Sequence, residues 1–168
     1  MSAGSRVRAS LAVATLLLIA VAVAQAATPK ITGKGVDHVK LGAKASKLRQ
    51  AGLIGHVRHG CELAPDTRAA KLKAPLKGVV NFSVTKPRRA ENIFITGGAK
   101  ASGVKIGSGK RAIRKAFPHV KFDHGTEDVF GITLAKVPKS DGGKFQIAVD
   151  VGNKKVSSFG VPFIAFCE

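Results

Sequence analysis

Lys86-Pro87-Arg88-Arg89 and Lys110-Arg111-x-x-Arg114-Lys115 are the densest concentrations of reactive chemistry in this 168-residue chain. Side chains of these two types hold anions. Arg presents a planar fork of N–H donors that matches phosphate or carboxylate, and Lys a compact point charge. Both clusters sit in a longer basic tract, since Arg68 to Lys121 contains 14 basic residues and a single acid, Glu91. A generally basic, solvated surface is the plain account of that tract. A polyanion-binding face made by Lys86, Arg88, Arg89, Lys110, Arg111, Arg114 and Lys115 is the functional one. The chain has no Trp and no Tyr, and several of its nine Phe occupy core-like alternating positions. Stacking platforms for bases are therefore scarce, and nucleic acid is expected only as a non-specific ligand.

Other patterns carry less. Gly107-Ser108-Gly109-Lys110-Arg111-Ala112 fits G-x-G-x-x-A before a helix. Backbone N–H groups at such a start can hold phosphate, yet no βαβ alternation follows, and a glycine-assisted helix start accounts for it. As a P-loop it fails, because Val104 stands where Gly is needed and Arg111 where Ser or Thr is needed. His56, His59 and Cys61 form H-x-x-H-x-C beside Glu62, and Asp123, His119 and His124 form a looser set. On a strand, residues 56 and 59 face opposite sides, so surface or structural histidines are expected rather than a metal site, and no cofactor is implied. There is no G-x-S-x-G, and the adjacent acids Glu127 and Asp128 diverge on a strand. No catalytic residues are expected, and the chain reads as a non-enzyme. Asn81-Phe82-Ser83 is a glycosylation sequon by pattern, within an expected strand.

Compartment follows from residues 1–26. Arg6 and Arg8 precede an uncharged apolar run from Leu11 to Ala24, and Ala24-Gln25-Ala26 ends the segment. That is the layout of a cleaved secretory signal peptide, with an apolar run short of the roughly 20 residues a span requires. The mature chain is then residues 27–168, with 26 basic against 10 acidic residues and a net charge of +16. No transmembrane segment is expected after cleavage, and the location is secreted or associated with the periplasm or cell envelope. Two cysteines remain, Cys61 and Cys167. In an oxidising exterior an even number favours a disulfide, which here closes a loop of about 106 residues with an entropic ceiling near 4.7 kcal/mol. Two buried thiols or an intermolecular bridge are the rival arrangements.

The elements that must position these groups recur along the chain. Val39-Lys40-Leu41-Gly42 aligns with Val104-Lys105-Ile106-Gly107 at an offset of 65, and Leu48-Arg49-Gln50-Ala51 with Ile113-Arg114-Lys115-Ala116. At the same spacing Val80, Phe82 and Val84 fall on Phe145, Ile147 and Val149, and Phe94 on Phe159. Two copies of one unit are expected, at residues 31–99 and 100–168. Each opens with a short apolar piece and a helix. Ile113, Ala116 and Phe117 form one helical face ended by Pro118, and Ala45, Leu48 and Ala51 a thinner stripe ended by Gly52. Period-two strands follow at Val80 to Val84, Ile93 to Ile95, Phe130 to Leu134 and Phe145 to Val151, with a last strand over 154–167 that Pro162 interrupts. The expected class is α+β: two tandem helix-plus-antiparallel-meander repeats of about 65 residues.

In that layout, and in the segments Val-Lys-Leu-Gly-Ala-Lys (39–44) and Val-Lys-Ile-Gly-Ser-Gly (104–109), the chain resembles secreted beta-lactamase inhibitor proteins and the related small outer-membrane lipoprotein fold. Those families have Leu-Gly-Met-Thr at this point; Met and Thr are absent from both copies here. The resemblance implies a binding scaffold without catalysis. The expected function is thus a secreted, non-enzymatic binding protein whose basic face meets an anionic envelope polymer or an acidic protein. A proteinaceous enzyme inhibitor is the alternative implied by the resemblance, and an exported hydrolase the alternative from another class.

Overall fold

The computed structural model describes residues 27–61, 66–140 and 142–166. The signal-like segment 1–26 and Cys167 lie outside the described residues. Three two-residue strands come first, β1 (Ile31–Thr32), β2 (Gly35–Val36) and β3 (Val39–Lys40), paired as a small antiparallel sheet. Helix α1 (Ala45–Gln50) follows, then β4 (Arg58–His59), β5 (Arg68–Lys71), β6 (Lys77–Phe82) and β7 (Ala90–Gly97). The rest is α2 (Lys110–Ala116), β8 (Lys121–Asp123), α3 (Glu127–Phe130), β9 (Ile132–Ser140), β10 (Gly143–Asp150) and β11 (Val156–Val161). The last eight strands form one sheet in the order β4-β5-β6-β7-β11-β10-β9-β8, every neighbour antiparallel.

This corrects the expected class. The molecule is mostly β, not an α+β pair of helix-plus-meander repeats, because the three helices have only six, seven and four residues. An apolar stripe that short cannot cover a four-stranded sheet. Stability comes instead from continuity, since β7 and β11 pair through Ile93↔Val161, Phe94↔Gly160 and Ile95↔Phe159. Backbone groups that two separate sheets would leave on open edges are thereby satisfied in the middle of one.

The inner face of this sheet is the main core. Alternation puts Val80, Phe82, Ile93, Ile95, Phe145, Ile147, Val149, Phe159 and Val161 into a single buried cluster, which Leu48 of α1 and Ile113 of α2 join. Phe117 meets Phe145 edge to face, centroids 5.4 Å apart. Two expected strand residues miss the core: Val84 and Val151 lie beyond the ends of β6 and β10 and are 57% and 40% exposed. Phe130 is not a strand residue either, for it ends α3 against Gly131, whose left-handed φ of 64° suits a residue without Cβ. Ile132 and Leu134 do lie on β9, but they pack with the cluster of the opposite face.

That opposite face is covered by the chain's own last described segment. β11 ends at Val161, before Pro162, so the expected strand over 154–167 is cut short there. Ile164 packs with Leu134 and Ala148, and Phe166 stacks on Phe130 at 4.2 Å. Asn92 Nδ2 donates to the Phe163 carbonyl, and the Ile164 N–H donates to Gln146 Oε1 at 2.9 Å. Gly160 is required beneath this segment. A Cβ there would stand 2.3 Å from the Phe163 carbonyl oxygen.

The β7–β11 contact lies on a local two-fold axis, since the pairing reads the same in both directions from Phe94 and Gly160. Corresponding hydrogen bonds recur on either side of it. Gly42 N–H donates to Ala90 O at 2.7 Å and Gly107 N–H to Val156 O at 2.8 Å, while the Ala90 and Val156 N–H groups donate back to Ala43 O and Ser108 O. Asp37 and Ser102 both turn with positive φ, 47° and 45°. Each helix start is thus tied to the start of one central strand, α1 to β7 and α2 to β11.

Candidate anion-binding groove

The connection from β6 to β7 is closed by Ser83. Its N–H donates to Arg89 O at 2.9 Å, and its hydroxyl accepts the Arg89 N–H at 2.9 Å. This projects Lys86, Pro87 and Arg88 as a tip. The tip is fastened to the segment leading into α1: Ala45 N–H donates to Arg88 O, Ala90 N–H to Ala43 O, and the Arg89 guanidinium to Gly42 O, each at 2.9 Å. Residues 40 positions apart in sequence are thereby held side by side. They enclose a groove of about 640 Å³ whose polar wall is Lys44, Ser46, Arg49, His56, Lys86 and Arg88, with no carboxylate among the described lining residues.

Electrostatics make this groove unusual. Among the described residues no ion pair involves Lys44, Arg49, Lys86 or Arg88. Four basic side chains around one depression make a local field that favours an anion. The Arg88 Nε is buried and has no hydrogen-bond partner among the described residues.

The second basic cluster lies at the start of α2 and is built differently. Lys110 Nζ and the Arg114 guanidinium both lie over the Phe122 ring, 5.7 Å and 4.9 Å from its centroid. Lys110 also donates to Thr133 Oγ1 at 3.1 Å, and the Thr133 hydroxyl donates to Glu127. His124 Nδ1 lies 2.7 Å from the same carboxylate. The Thr133 hydrogen bond, then that of His124, hold the Glu127 carboxyl below its ordinary range. Nearby, Lys136 lies 2.5 Å from Asp123 and, by hydrogen bonding to it, lowers that carboxyl likewise. Negative charge is therefore built into this end of the molecule.

The seven expected polyanion-binding residues do not make one face. Lys86 and Arg88 line the α1 groove. Arg89 is tied to Gly42, and Lys110 and Arg114 gather over Phe122. Arg111 and Lys115 are exposed on α2. Sequence reasoning missed Lys44, Ser46, Arg49 and His56, although the 65-residue offset lays Arg49 on Arg114 and gave a usable signal. Of the histidine motif, His56 enters the groove while His59 Nδ1 lies 3.3 Å from Arg68 Nη1. Among the described residues no group of three or more His, Cys, Asp or Glu stands together as a metal site. Gly109 serves as the N-cap of α2, after which the chain enters the antiparallel edge strand β8. Asn81 of the sequon donates to Asn92 Oδ1 within the sheet. No described helix is long and apolar enough to cross a membrane. No family model, curated protein or solved structure matches this chain.

Proposed function

We propose that the chain is an exported, non-catalytic binding protein that takes an anionic polymer of the cell envelope into the α1 groove. One observation carries the reading: Lys44, Arg49, Lys86 and Arg88, none of them in an ion pair among the described residues, line one groove. Arg88 and Arg49 supply planar donors for an oxyanion, while Lys44 and Lys86 supply charge without geometric demand. The +16 charge of residues 27–168 attracts such a polymer over longer range at low ionic strength. Export on the segment 1–26 and a bridge between Cys61 and Cys167 belong to the same proposal. Cys61 follows β4, with its N–H donating to Thr67 Oγ1 at 2.8 Å.

Titration of isolated envelope polymer across a salt series tests the groove. Log affinity should fall linearly with log salt, and Lys86→Glu with Arg88→Glu should weaken binding at least tenfold while thermal unfolding stays unchanged. Binding that ignores salt and both substitutions would overturn the proposal. For the bridge, thiol titration of exported, denatured, unreduced protein should find none. Reduction should then lower stability by about 2–4 kcal/mol in a denaturant titration.

A further inference from the structure

The two-fold axis through the Phe94–Gly160 pair has a consequence for ligand length. It carries part of the α1 groove onto the α2 cluster: Arg49 onto Arg114, Ser46 onto Arg111, and His56 onto Lys121, while Lys44 falls on Gly109. Beyond the strand irregularities, where the offset becomes 66, Arg88 falls on Lys154. Leu48 and Ile113 belong to one buried cluster, so both helices lie on the same face of the sheet. Yet α1 is anchored to the start of β7 and α2 to the start of β11, and these strands run antiparallel. The two basic sites therefore sit at opposite ends of the central strands. With Ile95 opposite Phe159, Val156 lies level with position 98, so Ala90 and Val156 are separated by about eight residue steps, or about 26 Å.

We infer that the two sites work as one bivalent surface for a linear polymer bearing a phosphate in each repeating unit. The inference rests on the α1 groove being an anion site, as proposed above. Phosphate is favoured because both sites offer Arg forks beside Lys charges. Sequence-reading of a nucleic acid is disfavoured because the one ring in the second site, Phe122, is already covered by Lys110 and Arg114. A small anion occupies one site at a time. A chain longer than about 26 Å binds both, and its second contact is made at the high effective concentration of a tethered group.

Calorimetric titration with inorganic tripolyphosphate and with long-chain polyphosphate separates the possibilities. Tripolyphosphate should fill the α1 groove with modest affinity. The long chain should bind with one protein per spanning segment and about 10²-fold more tightly. Arg111→Glu with Arg114→Glu should erase that gain while leaving tripolyphosphate binding at the α1 groove in place. If tripolyphosphate fails to bind the unsubstituted protein, the α1 reading itself falls. If it binds but the long chain gains nothing, or the α2 substitutions leave the gain intact, bivalency is refuted and the α1 reading stands. Single-stranded DNA of equal charge binding more than tenfold tighter than polyphosphate also refutes the phosphate-polymer assignment.

Discussion

The halves of the sheet on either side of the β7–β11 contact share the hydrogen bonds that tie each helix start to a central strand, and carry different surfaces. At the α1 end the cations Lys44, Arg49, Lys86 and Arg88 line one groove, with no carboxylate among its described lining residues. At the α2 end the position of Val57 is taken by Phe122, and Lys110 is engaged by that ring, by Thr133 and, at longer range, by Glu127. The outer face differs as well. Phe94 lies on one side of the axis, while its partner Gly160 admits the segment that carries Phe163 and Ile164. Backbone hydrogen bonding set the shared geometry, and the side chains at equivalent positions differ in chemistry. Among the described residues the α1 cations form no ion pair, whereas at the α2 end Lys110 and Arg114 are engaged by Phe122 and Thr133.

Core truncation should break the comparison most strongly. Phe145 is buried and meets Phe117 in one half of the sheet, and Val80 is buried on β6 in the other. Phe145→Ala should cost about 3–5 kcal/mol of unfolding free energy in a urea titration, against about 2 kcal/mol for Val80→Ala. Equal losses would mean that the two halves share their core evenly. Next in size is Gly160→Ala, which drives a methyl group into the Phe163 carbonyl and should cost about 1–3 kcal/mol. The loss should be accompanied by faster amide exchange at Ile164, whose N–H is held by Gln146. Unchanged exchange there would show that the last segment is held by other contacts.

The smallest effect concerns Glu127. Its carboxyl is held below the ordinary range by Thr133 and then His124, so the folded state favours the charged form. That contribution is present above the ordinary glutamate pKa, about 4.3, and is lost as pH falls through the lower folded value. Glu127→Gln should flatten the stability profile on the acid side of that window. It should also raise tripolyphosphate affinity at the α2 cluster a few-fold by releasing Lys110 from the carboxylate's field. An unchanged affinity would show that Phe122 and Thr133, rather than Glu127, hold the lysine.

Much of the local structure was legible before any coordinates. Ile113 and Phe117 marked a helical face, and Phe145, Ile147 and Val149 marked a buried strand face, because both periods are set within a few residues by backbone geometry. Phe130 is the instructive exception. Its spacing to Ile132 and Leu134 mimics strand alternation, but a turn at Gly131 separates it from both. The groove was half visible: Lys86 and Arg88 announced themselves by density, whereas Lys44 and Arg49 lay 40 residues earlier among ordinary surface charges.

Residue order on its own determined the basic character, the strand and helix periods, and the offset of 65 that relates the segments around α1 and α2. These are local or compositional properties, readable wherever neighbours in the chain are neighbours in space. Tertiary structure alone decided that β7 would pair with β11, turning expected separate meanders into one sheet. It also decided that the segment after β11 would cover the outer face, and that the β6–β7 tip would meet the start of α1. Each of these depends on backbone donors and acceptors finding partners far along the chain. No periodicity records such a pairing, because its free energy belongs to surfaces that exist only after the strands have formed.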